Sequence, residues 1–221
     1  MSISENILSI KRSLPDHVTL IAVSKTRTNE EIMEAYNAGQ RDFGENKVQE
    51  LTPKAEALPK DIRWHQIGHL QTNKVKFIAP FVHLVHAVDS EKLLAEINKQ
   101  AEKYGRKISV LLQIFIAKEE TKFGFSFEEA EELLKSNPEK KYPNVEIAGL
   151  MGMATNTEDV VQIRNEFRSL KIFYDRQTSA FCLPSSLSMG MSSDWKIAIE
   201  EGSTMIRIGS SIFGERNYNK Q

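Results

Sequence analysis

Eight short apolar runs alternate with amphipathic stretches along the 221 residues of this chain, and that alternation constrains its fold more than any other feature. The runs fall at residues 18–23, 42–43, 62–67, 83–88, 108–116, 145–151, 185–189 and 204–208. Short apolar runs bounded by turn residues read as strands, and apolar residues spaced three to four apart read as helices. Thr28 with Glu31 and Ser126 with Glu129 form capping boxes, in which a hydroxyl and a carboxylate satisfy amides that a helix start leaves free. Asn156-Thr157 opens a long helical run to Thr178, with Val160, Ile163, Phe167, Leu170 and Phe173 at helical spacing. A further helix over residues 3–13 precedes the first strand. Residues 136–143 read as a loop.

Strict strand-then-helix alternation argues a parallel sheet with helices outside, because parallel neighbours need a crossover between them. An open doubly wound sheet is the competing architecture, and eight units favour closure. The predicted fold is α/β: a single (βα)8 TIM-type barrel over residues 1–221 with an extra N-terminal helix.

Composition narrows the partners. With 29 Lys and Arg against 30 Asp and Glu, the net charge of -1 gives none of the basic footprint of a nucleic-acid binder. The one cysteine, Cys182, has no partner for an internal disulfide and reads as a packed small hydrophobe. The N-terminus lacks the cationic segment and apolar core of a signal peptide, and the longest apolar stretch is broken by Ser109 and Gln113. The expectation is a cytoplasmic monomer that engages neither membrane nor nucleic acid.

In a barrel, chemistry sits at the C-terminal strand ends. Lys25 follows the run Leu20-Ile-Ala-Val-Ser24, so it points into or over the mouth. A partly desolvated amine there gives up its proton more readily, as Schiff-base chemistry requires. The plainer reading is a lysine that snorkels to water at the rim. After the seventh and eighth strands come two loops of small residues, Leu187-Ser-Met-Gly-Met-Ser-Ser-Asp194 and Gly209-Ser-Ser211. Backbone amides of Gly209 and Ser210 and the Ser210 hydroxyl suit phosphate oxygens, although such loops also simply make turns. Arg207 lies within the last strand among apolar neighbours and must meet either a ligand or a carboxylate. His65 and His69 lack the supporting ligands of a metal site. His83 and His86 should point to opposite faces of their strand. Met151, Met153, Met189 and Met191 read as core filling, and the Glu-rich stretch 128–132 as solvated surface.

Taken together the motifs resemble the YggS/PROSC family of pyridoxal phosphate homeostasis proteins. The matching segments are Ala22-Val-Ser-Lys-Thr26, Phe43-Gly-Glu-Asn46 with Val48-Gln-Glu50, Trp64-His-Gln-Ile-Gly-His-Leu-Gln-Thr-Asn-Lys74, Gly149-Leu-Met151, Leu187-Ser-Met-Gly-Met-Ser-Ser-Asp194 and Arg207-Ile-Gly-Ser-Ser-Ile-Phe-Gly214. They run in order over nearly the whole chain. The resemblance implies a barrel similar to the N-terminal domain of alanine racemase, with pyridoxal 5'-phosphate (PLP) held as a Schiff base on Lys25. It implies that Asn46 lines the cofactor, that Met189, Gly190 and Ser192 belong to a loop near the phosphate, and that Gly209 and Ser210 supply further phosphate contacts. Arg207 would face the pyridine nitrogen. Ser210 stands where threonine is common in the family and keeps the hydroxyl. Gln66 and Lys47 stand where an aromatic is common, with no expected bearing on the cofactor.

An arginine at the pyridine nitrogen disfavours its protonation and weakens the ring as an electron sink. Only thirteen residues follow Ile208, too few for the extra domain that supplies a second base in the related racemases. The expectation is therefore a binding protein of vitamin B6 homeostasis without turnover of its own, exchanging PLP with apo PLP enzymes or responding to amino and keto acids. A PLP-dependent racemase or decarboxylase and a Schiff-base aldolase are the alternatives.

Overall fold

The computed structural model describes residues 2–118, 123–181 and 186–215. Its centre is a closed barrel of parallel strands in the order β1 to β8, each paired to the next and β8 back to β1. The strands are β1 (Thr19–Val23), β2 (Asp42–Glu45), β3 (Arg63–Gln66), β4 (Leu84–Val88), β5 (Ile108–Gln113), β6 (Val145–Met151), β7 (Ser186–Ser188) and β8 (Met205–Ile208). Helix α1 (Ile3–Ser13) precedes them, as expected. The crossovers carry α2 (Asn29–Asn37), α3 (Val48–Ala57), α4 (Val75–Ile78), α5 (Glu91–Lys103), α6 (Phe127–Lys135), α7 (Pro138–Lys141), α8 (Val160–Phe181) and α9 (Trp195–Glu200), and α10 (Ser210–Phe213) follows β8.

Local chemistry accounts for the helix starts. Both expected capping boxes form at α2 and α6, and Ser2 with Glu5 makes a third at α1. The long helix starts later than Asn156-Thr157. Its first amides, at Val161 and Gln162, are taken by the Asp159 carboxylate, which is the better placed acceptor. The helix also runs on to Phe181, past Thr178. Residues 136–143 contain one short helix, α7, with Pro138 in its first turn, so the expectation of plain loop is corrected. The fifth strand stops at Gln113, and beyond it Ile114 makes an isolated bridge to Phe125. Cys182 and Ser185 lie outside the described residues.

Two apolar layers hold the barrel. The larger fills the space between strands and helices and includes Phe43, Trp64, Leu93, Ile97, Phe167, Leu187 and Ile206. The smaller groups Leu84, Leu111 and Met151, from β4, β5 and β6. At about 25 cal/mol for each Å² of apolar surface buried, the outer layer is the main source of stability. Across the seam, Ile21 of β1 is the register partner of Arg207 of β8. Ile21 and Arg207 therefore share one face of the sheet, and Lys25 follows in the turn just past the end of β1.

Candidate functional site

A cavity of about 420 Å³ opens at the C-terminal ends of the strands. Of the residues singled out from sequence, Lys25, Asn46, Ser192, Arg207, Gly209 and Ser210 line it. Met189 and Gly190 stand one step back. Met189 is fully buried in the layer between strands and helices, and the methionines on the cavity wall are Met153 and Met191, both expected in the core. Gly190 packs against Ala198 and Trp195 with a φ of +98°, a conformation that favours glycine, and its carbonyl accepts from the Arg207 amide. Val23, Arg27, Ile67, Ser193 and Gly214 complete the wall among the described residues.

The turn that presents Lys25 is held on both flanks by α3. Lys54 donates to the Ser24 carbonyl at 2.9 Å and to Glu45 Oε1 at 2.7 Å, and the Ser24 hydroxyl donates to the same carboxylate oxygen at 2.6 Å. On the other side the Thr26 amide donates to Glu50 Oε2 at 2.7 Å. Thr26 has a φ of +64°, a costly conformation for a β-branched residue that persists only where its surroundings impose it. Glu45 is fully buried. Burial pushes its carboxyl pKa up, against the pull of the Lys54 ammonium, and its Oε2 has no partner among the described residues.

Asn46 is fixed from behind. Gln66 is buried and donates to the carbonyls of Asn46 and Gly68 at 3.0 and 3.1 Å. A Cβ on Gly68 would fall 2.6 Å from the Asn46 carbonyl oxygen, so only glycine fits there. Gln66, expected to have no bearing on the site, thus buttresses a wall residue.

The two small-residue loops meet at the mouth, where the Gly209 amide donates to the Ser192 hydroxyl at 3.3 Å. Asp194 shapes the first loop by accepting from the Met191 amide. Arg27 ties the mouth to the end of α10 through the Gly214 carbonyl and pairs with Glu31 at 3.3 Å.

Arg207 forms the deep end. It is 4% exposed and donates to the Ser188 hydroxyl at 2.5 Å and to the Gly152 carbonyl at 3.1 Å. Its two protein acceptors are neutral, so no carboxylate hydrogen-bonds it among them, and it lines the cavity where a ligand would lie. Burial lowers its pKa to about 10, with Asp194 pulling the other way, so the guanidinium remains a cation at neutral pH.

The histidines divide. His69 is at the rim, stacked on Phe123 and bonded to Asp89 at 2.8 Å. His65 is buried inside the barrel, and the described residues hold no cluster suited to a metal ion. His83 and His86 both lie against the His65 ring, at centroid distances of 5.3 and 5.1 Å. They were expected on opposite faces of one strand. His83 in fact precedes β4, and a register shift between Val85 and Val88 redirects the strand around His86. Among the described residues no helix is long and apolar enough to cross a membrane.

This arrangement can bind an anion at the Gly/Ser loops, condense an amine with a carbonyl, and offer a permanent hydrogen-bond donor to a ring nitrogen. A family model described as alanine racemase, N-terminal domain, matches residues 1–217. A pyridoxal phosphate homeostasis protein of Aquifex aeolicus is 44% identical over 90% of this chain and 87% of its own. The structure of PipY from Synechococcus elongatus matches with a TM-score of 0.91 without PLP and 0.86 with PLP bound, at 35% identity over 96% of this chain and 100% of that one. Alanine racemase from E. faecalis shares the fold, with a TM-score of 0.75 at 17% identity over 99% of this chain and 59% of that one. The chain belongs to the alanine racemase N-terminal domain family and, within it, to the pyridoxal phosphate homeostasis proteins.

Proposed function

We propose that this protein binds pyridoxal 5'-phosphate and serves its homeostasis as a holder of the cofactor, without turnover. The observation that carries the reading is that Lys25, Arg207 and the Ser192–Gly209–Ser210 loops line one cavity. The donor set fits the group. A phosphate takes hydroxyls and backbone amides, an aldehyde takes a lysine amine, and an unprotonated pyridine nitrogen takes a donor that never becomes an acceptor. Gly209 also allows close backbone approach, since a Cβ there would sit 3.3 Å from the Val23 carbonyl oxygen.

When bound, the cofactor supplies an aldehyde and a conjugated ring whose attachment to an amine gives visible colour. The protein's residues do the rest. Lys25 provides the attachment point, held by the α3 clamp on Ser24 and Thr26. Ser192, Gly209 and Ser210 bind the phosphate end, and Asn46 packs the side. Arg207 keeps a proton on its own nitrogen and none on the ring's. Of the cavity-lining residues, the ionisable ones are Lys25, Arg27 and Arg207, all basic. The two arginines stay protonated at neutral pH and Lys25 is taken up as the attachment point, so this lining suits retention rather than turnover. Apo enzymes that use the same cofactor are the recipients that such a holder would serve.

The purified protein should be yellow, and borohydride reduction should fix a pyridoxyl group to one peptide. Mass spectrometry that places the label on Lys25 supports the reading. A label on Lys74 or Lys122, or none at all, overturns it.

A further inference from the structure

Below Arg207 a chain of side chains crosses the barrel. The Ser188 hydroxyl that accepts from Arg207 lies 3.0 Å from His86 Nδ1. His86 Nε2 lies 2.9 Å from His65 Nδ1, and His65 Nε2 lies 3.1 Å from Asp42 Oδ1. Asp42 is held in turn by Arg63 near the opposite end of the barrel. β4 and β7 are not sheet neighbours, so the His86–Ser188 contact bridges the interior. Ser188, His86 and His65 are all at most 1% exposed.

With both histidines neutral, the two ends dictate every proton between them. Arg207 can only donate, and Asp42, doubly bonded by Arg63, can only accept while ionised. His65 must therefore donate from Nε2 to Asp42 and accept at Nδ1. His86 must then donate from Nε2 and accept at Nδ1, where the Ser188 hydroxyl donates. For neutral histidines this protonation pattern alone satisfies all the members. Burial pushes the pKa of each histidine down, which agrees with that pattern. Lys11 on α1, Arg63 on β3, His83 before β4 and Asp194 after β7 are other charged or titratable groups that act on it, and Arg106 acts on His83.

We infer that Ser188, His86, His65 and Asp42 form a proton-ordered relay that positions Arg207, so that these four residues, none of them on the cavity wall, set how firmly the protein donates to the cofactor's ring nitrogen. Hydrogen bonds aligned in one direction polarise one another, and the Asp42 charge is thereby felt at the guanidinium. The cofactor half of this inference rests on the function proposed above. The ordering of the chain itself does not.

The test has two arms. In 15N-labelled protein free of cofactor, NMR should find His65 and His86 neutral at pH 7 and both in the Nε2–H tautomer. Any other tautomer at either residue overturns the relay. In protein loaded with pyridoxal phosphate, Ser188→Ala should weaken retention about tenfold, the scale of one hydrogen bond to a charged group, and shift the pH at which the visible band changes. Ser188→Thr, which keeps the hydroxyl, should restore both. His65→Leu cuts the chain at its middle, should shift the same band, and stands in if Ser188→Ala does not fold. A lower melting temperature with unchanged retention and unchanged spectral pH profile would show a merely structural role and overturn the inference. Failure of the wild-type protein to retain pyridoxal phosphate, with both tautomers as expected, would sink the functional reading and leave the relay as a structural finding.

Discussion

Lys54 Nζ lies 2.9 Å from the carbonyl oxygen of Ser24, the residue immediately before Lys25. The same ammonium neutralises Glu45, which is fully buried. Removing one partner of a buried pair strands the other and costs about 3–5 kcal/mol. Lys54→Met should therefore lower the urea midpoint strongly at pH 7. Without its cation, Glu45 should take up a proton in the folded state more readily than in the unfolded chain. The gap between variant and wild type should thus narrow as the pH falls towards 5. An unchanged midpoint would show that the pair contributes nothing to holding the turn.

Arg207 separates a core role from a binding role. Its burial is costly, and its two acceptors are neutral. An apolar replacement removes the desolvation cost of the cation but leaves the Ser188 hydroxyl and the Gly152 carbonyl without their donor, and these opposing effects are of similar size. Arg207→Met should leave the melting temperature of cofactor-free protein within a few degrees of wild type. It should weaken binding of pyridoxal phosphate at least tenfold, because a hydrogen bond from a charged donor is worth about 1.5–3 kcal/mol. Fluorescence titration of both proteins measures the difference. A large stability loss with unchanged affinity would make Arg207 a structural cation.

The buried histidines make the fold acid-sensitive. His65 and His86 have lowered pKa values when folded, chiefly through burial, so the unfolded chain binds protons that the folded barrel refuses. Stability is then present above the unfolded value near 6.5 and is lost as the pH falls below it. Each histidine that stays neutral adds a slope approaching about 1.4 kcal/mol per pH unit. Denaturant midpoints between pH 7.5 and 5 should decline, and His86→Asn should flatten the decline. A profile flat through pH 6 would contradict the assignment. Asp42 has the same sign further down. His65 and Arg63 hold its carboxyl below the ordinary range despite burial, so its contribution disappears only in stronger acid.

The barrel was readable because each strand interrupts a helical period, and the strand-end rule led directly to Lys25, Gly209 and Ser210. The relay was not readable. Asp42, His65, His86 and Ser188 sit on four different strands, and only closure of the sheet brings β4 opposite β7. In a parallel barrel both strand faces are buried, so alternation does not mark which side faces the axis. That is why Met153 and Met191 read as core filling like Met189, although both lie on the cavity wall. The α3 clamp was hidden for a different reason. Lys54 and Glu50 look like ordinary surface charges until the turn at Ser24 and Thr26 is placed against them.

Retention without turnover is the remaining expectation. Exchange of an amino acid's α-proton needs a base beside the carbon and a ring that accepts the electron pair. Of the three ionisable side chains that the described residues place on the cavity wall, Arg27 and Arg207 are arginines, cations at neutral pH. The third, Lys25, is the attachment point itself. A guanidinium that donates to the ring nitrogen also keeps that nitrogen unprotonated, which weakens the sink. General acid–base assistance is worth a factor of about a hundred to ten thousand per group, so without it exchange should run at the rate of the free cofactor. Incubating loaded protein with each common amino acid in deuterated water, and following the α-proton by NMR, should show no incorporation above that background. Stereospecific incorporation into any one amino acid would defeat the holder reading and make Lys25 the base of a racemase.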